Sequence, residues 1–195
     1  MRRLWSWAIL VAVVLIGSFA TSIVAYPGTR GEPWLEEMRS GGRVIRADIG
    51  EDIALAPTEH IRIDGVDAGT RLYRDDRFVT RTDDVFLAVS TTSRVDRRAT
   101  SMLKARVESG GEVFDSMQLF LSRPDDGFQQ QDVIVFELPR DRLEGAVLTI
   151  EDRSFFTRPT LKTRIDLGLS ADVIAGFPDD KRIDIPGIPE QEAIG

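Results

Sequence analysis

The chain has no cysteine among its 195 residues. That excludes a disulfide framework, a thiolate nucleophile, a lipid-modified cysteine and any cysteine-based zinc site. A single histidine, His60, leaves no two-histidine metal site within one chain. Positive charge is in deficit: 25 Lys and Arg face 32 Asp and Glu, a formal net charge of -7. A general nucleic-acid binder would normally be basic, so no nucleic acid is expected as a partner. Long amphipathic helical patterns are also missing beyond residue 42. A composition 42% hydrophobic and 8% aromatic nevertheless suits a folded domain rather than an acidic disordered tail.

One long apolar run is present. Leu4 to Tyr26 holds twenty-three residues without a charge, preceded by Arg2 and Arg3. At about 1.5 Å per residue it can cross a hydrocarbon core of about 30 Å. The basic residues favour keeping its start in the cytoplasm. Trp5 and Trp7 at one end and Tyr26 at the other suit the two interfaces. The expected organisation is a membrane anchor over 1–26, with Leu4, Trp5, Trp7 and Tyr26 at its limits, then a juxtamembrane spacer over 27–41. A cleaved signal peptide is the alternative, because Ser18-Phe19-Ala20 offers a small-x-small triplet. Either way, the chain beyond Tyr26 is expected to face out of the cytoplasm.

From Gly42 onward the dominant period is two. Leu103, Ala105 and Val107 alternate with Lys104, Arg106 and Glu108, and Leu161 to Leu167 repeats the pattern with Lys162, Arg164 and Asp166 outward. Such alternation marks half-buried antiparallel strands. Val85–Val89 and Val133–Phe136 are apolar on both sides and read as central strands. Further strands are expected at 44–49, 60–66, 77–80, 113–121 and 146–151. Turns are expected at Asp64-Gly65, Asp75-Asp76, Ser109-Gly110-Gly111, Pro124–Gly127 and Glu144-Gly145. The expected class is all-β, an antiparallel β-sandwich over 42–176 behind one N-terminal transmembrane helix, with a small closed barrel as the rival. Residues 177–195, with Pro178, Pro186 and Pro189, read as an extended tail.

Several of these segments resemble a known family. The succession Val85–Thr92, Leu103–Val107, Gly110-Gly111-Glu112-Val113-Phe114, Asp126-Gly127-Phe128, Val135–Pro139 and Gly145–Leu148 is similar to telokin-like, immunoglobulin-like domains. These occur on secreted or membrane-anchored proteins of Gram-positive bacteria, especially actinobacteria. Pro124-Asp-Asp-Gly127 stands where that family has a Pro-Gly turn, and Thr91-Thr92 where it commonly has Asn. The resemblance implies an immunoglobulin-like extracytoplasmic domain, non-catalytic, with no active-site residues to carry over.

Candidate sites are few. Gly168-Leu-Ser-Ala-Asp172 misses a nucleophile elbow by its last residue and lacks the strand-to-helix context. Acidic pairs recur, and Asp83, Asp84, Asp125 and Asp126 are the first candidates for calcium, although aspartate is also an ordinary turn residue. Arg94, Arg97 and Arg98 form a basic cluster that could meet an anionic surface or simply be solvated. Phe128 sits in a polar turn, where a ring must pack on a partner or on its own domain. No cofactor is expected. The functional expectation is a single-pass envelope module that contacts a neighbouring envelope protein through these two loops. The alternative is a secreted binding protein, released after Ala20, for a small ligand or wall polymer.

Overall fold

The computed structural model describes residues 43–45, 49–56, 58–97, 103–152 and 162–194. The expected anchor, the spacer and Arg98 lie outside them. Among the described residues no helix is long and apolar enough to cross a membrane.

Among the described residues eleven strands form an all-β sandwich. In chain order they are β1 (Arg43–Ile45), β2 (Asp52–Ala56), β3 (Glu59–Arg74), β4 (Arg77–Val95), β5 (Leu103–Ser109), β6 (Glu112–Asp115), β7 (Phe128–Leu138), β8 (Val147–Asp152), β9 (Lys162–Asp166), β10 (Arg182–Ile185) and β11 (Gln191–Ala193). One sheet runs β1-β9-β8-β5-β6; the other runs β10-β3-β4-β7-β11, with β2 also on β3. Pairing is antiparallel except at two places, β1 on β9 and β10 on β3, which are parallel. The core lies between the sheets. Leu87, Val89, Ile134 and Phe136 from one face Ala105, Val107, Leu148 and Ile165 from the other, all essentially sealed from solvent.

The period-two segments behave as their sequence implies. Leu103, Ala105 and Val107 point inward, while Lys104, Arg106, Lys162 and Arg164 form an ionic lattice outside. There Glu151, almost wholly buried, receives Arg106 at 3.3 Å and Lys162 at 2.9 Å. Where tertiary pairing decides, the strands differ from expectation. The segments 77–80 and 85–89 are one strand, β4. Asp64-Gly65 is a bulge inside β3 rather than a turn. The strand expected over 113–121 stops at Asp115.

The β3–β4 hairpin doubles back on its own sheet. Gly69 pairs with Phe86 and Arg71 with Arg81, so residues 82–85 of β4 face Thr70 alone and the ribbon bends there. A straight ribbon would hold Asp75 about 46 Å from the row of Ser93, which pairs with Ile61. Yet the Gly187 amide donates to Asp75 Oδ1 at 2.8 Å, and Gln191 already pairs with Gln130, which faces Ser93. The intervening chain can span only about 14 Å. The folded-back tip therefore covers the outer face of the sheet, where Leu72, Ile183 and Ile185 bury Phe86, Ala88 and Val135 in a second apolar cluster. Arg182 lies 4.1 Å over the Tyr73 ring and pairs with Asp76 and Asp184, latching β10 to the tip. The tail over 177–195 is thus a structural strap whose two strands close both edges of one sheet; Ile188 alone of its isoleucines at 183, 185 and 188 stays exposed.

Candidate interaction end of the sandwich

Val95 at the end of β4 pairs with Phe128 at the start of β7. The Gly127 amide donates to Val95 O at 2.8 Å, and Phe128 N to Asp125 O at 3.0 Å, with Gly127 at φ 81. The tail pins the same turn: Ile194 N donates to Gly127 O, and Asp125 N to Gln191 Oε1. The loop after Arg94 and the Pro124–Gly127 turn are therefore brought side by side on a hydrogen-bonded base. Asp125, Asp126 and Arg97 are exposed on it; Pro124 is buried.

A charge cluster flanks this base. His60 Nδ1 lies 3.2 Å from Asp52 Oδ2 and His60 Nε2 lies 3.8 Å from Asp96 Oδ2. Arg94 reaches the same two carboxylates, at 3.6 and 3.0 Å. Arg94 is thus committed within the domain, which leaves Arg97 as the exposed described cation of the basic cluster. Both imidazole nitrogens face carboxylates, and no serine or threonine hydroxyl is bonded to them among the described residues. Ser170 caps a short helix, α1 (Ala171–Ala175), by accepting from Val173 N, which explains the near-elbow sequence.

Phe128 is half-buried and has the strand parity of Ile134 and Phe136 on β7. The acidic candidates are not gathered. Asp83 and Asp84 lie in the bulge of β4, and Asp125 and Asp126 lie beyond the opposite end of that strand. Among the described residues no three metal-ligating side chains converge.

Sequence reasoning missed a polar interior at this end. The inner face of β3, β4 and β7 turns from apolar to polar through Thr91, Ser93, Gln130, Asp132 and Glu59. Glu59 is 4% exposed and pairs with Arg123, which descends from the loop before Pro124. Glu59, Thr91, Ser93, Arg123 and Asp132, with Leu103 and Leu121 across the gap, border a cavity of about 20 Å³. The Gln130 Nε2 has no hydrogen-bond partner among the described residues. Burial pushes the Asp132 carboxyl above its ordinary value, opposed by the Val133 amide it accepts from. The signal was present: Glu59 has the strand parity of Ile61 and Ile63, and Asp132 that of Ile134 and Phe136.

Comparison with protein-family models, curated proteins and solved structures found no match.

Proposed function

We propose that this chain is a membrane-anchored, extracytoplasmic immunoglobulin-like module that binds a neighbouring envelope protein and performs no catalysis. The observation that carries the reading is the pairing of Val95 with Phe128, which sets the two loops singled out by composition on one rigid base. Binding surfaces are commonly built from loops on a rigid scaffold. The sandwich supports the immunoglobulin-like part, and the uncharged run Leu4–Tyr26 supports the anchor.

A photoreactive residue at Arg97 or Asp126, both exposed, tests the contact in intact cells. Adducts to one discrete protein are expected; adducts only within the chain overturn the reading. The Ser18-Phe19-Ala20 triplet favours a second reading, a secreted binding protein, and the intact mass of membrane-extracted protein distinguishes the two.

A further inference from the structure

Ser116–Leu121 carries the chain from the edge of one sheet to the edge of the other, with its side chains arranged against the usual sense. The polar residues turn inward. Ser116 Oγ donates to Gln118 O at 2.6 Å. The Gln118 amide donates to Val133 O at 2.7 Å and accepts from Val135 N at 3.2 Å, standing in for a strand on the edge of β7. Leu121 packs on the core, but the other three apolar residues turn outward: Met117 is 48%, Leu119 73% and Phe120 37% exposed. Three large apolar side chains held out in a row mark a contact surface. The segment is no loose loop, because Ser116 N donates to Ala105 O, Met117 N to Val135 O and Leu121 N to Leu103 O.

Its position in the sheet suggests what covers it. Arg43 pairs with Thr163, Thr163 with Ile150 and Ile150 with Ala105, whose carbonyl accepts from Ser116 N. The first described strand and the apolar segment thus occupy one cross-strand row, about 19 Å wide at a spacing of about 4.8 Å. The chain reaches Arg43 from the same end of the sheet at which Met117–Leu121 lies. Residues 27–42 between Tyr26 and that strand span at most about 55 Å fully extended. With Leu4–Tyr26 in the bilayer, a tether of that length leaves this end within reach of the membrane surface. The adjoining charges are compensated: Asp115 is held by Lys104 at 3.0 Å and Arg106 at 2.9 Å. The amides of Met117 and Leu121 are already spent on the sheets, which leaves fewer donors for an added peptide strand.

We propose that Met117, Leu119 and Phe120 seat in the outer boundary of the lipid bilayer, fixing the orientation of the domain on the membrane. This rests on the anchored reading of Leu4–Tyr26. Side chains of this size reach the headgroup–acyl boundary, about 5–10 Å deep, without spanning it.

Because the chain has no cysteine, Leu119→Cys can carry a single bimane label, with Glu144→Cys as a control at the opposite end of the sandwich. Each full-length variant, checked for an unchanged melting curve, is reconstituted in phosphatidylcholine vesicles with lipids brominated high on the acyl chain. Quenching by about half or more at position 119, with little at 144, is expected for a side chain at that boundary. Equal, weak quenching at both positions in protein that floats with the vesicles overturns the seating and leaves the anchor intact. Protein that does not float overturns the anchor and the seating together.

Discussion

Two aspartates are shifted in opposite directions, and each has its own pH signature. Asp132 is raised above 3.8 by burial. Below the unfolded value both states are protonated and no penalty exists; as pH rises through the higher folded value the penalty develops and then persists. Asp132→Asn should therefore raise the melting temperature at pH 7, with a gain that fades as pH falls below about 4. Equal effects at both pH values, or destabilisation at pH 7, would refute this. Asp115 is lowered, first by its hydrogen bond from Lys104 and further by Arg106. Its stabilisation exists above the unfolded value and is lost as pH falls through the folded one. Asp115→Asn should accordingly lower the melting temperature at neutral pH and become neutral in acid, as parallel thermal scans would record. Arg123 and Glu59 sharpen the same lesson, since a buried ion pair is costly to break from one side. Arg123→Ala should cost about 3–5 kcal/mol in chemical denaturation, the range for an uncompensated buried charge.

Two glycines decide how ribbons turn. Gly110 and Gly111, at φ 57 and 82, close the β5–β6 hairpin. Gly111→Val, with open space around it but the wrong backbone region, should cost about 1–2 kcal/mol. At Gly69 the constraint is proximity instead: a Cβ there would overlap the carbonyl oxygen of Lys181. Gly69→Ala should destabilise by about 1–3 kcal/mol as an overpacked contact. It should also speed proteolysis in the strap after Lys181, which the Gly111 variant should leave unchanged. Much at this scale was legible from pattern. The alternation in Leu103–Val107 placed β5, and Ser109-Gly110-Gly111 placed its turn. Less legible was the doubling back of β3–β4, because a bend over residues 82–85 leaves local periodicity looking like two separate strands. The strap was hidden for a related reason: Arg182–Ile185 is too short to announce itself and becomes a strand only when β3 offers an edge. At the candidate end, the basic cluster and the Pro124 turn were visible in composition, whereas their adjacency and the Glu59–Arg123 pair depend on pairing between distant strands.

Across the molecule, one strap closes two edges. Ending the chain at Lys181 would remove Ile183 and Ile185, whose burial contributes about 1.5–3 kcal/mol each. It would also open the edges of β3 and β7, and open edges invite pairing between copies. The shortened protein should melt lower and sediment as larger species than the parent; an unchanged melting curve would mean the outer cluster adds little. The parallel pairing of β1 with β9 has a different consequence, a mechanical one. A pull transmitted along a tether to Arg43 would drag β1 lengthwise past β9, loading the hydrogen bonds of Arg43, Val44 and Ile45 together, in shear. Antiparallel hairpins pulled from their open ends unzip one bond at a time. Short as it is, β1 joins the sandwich in the geometry that resists detachment under tension.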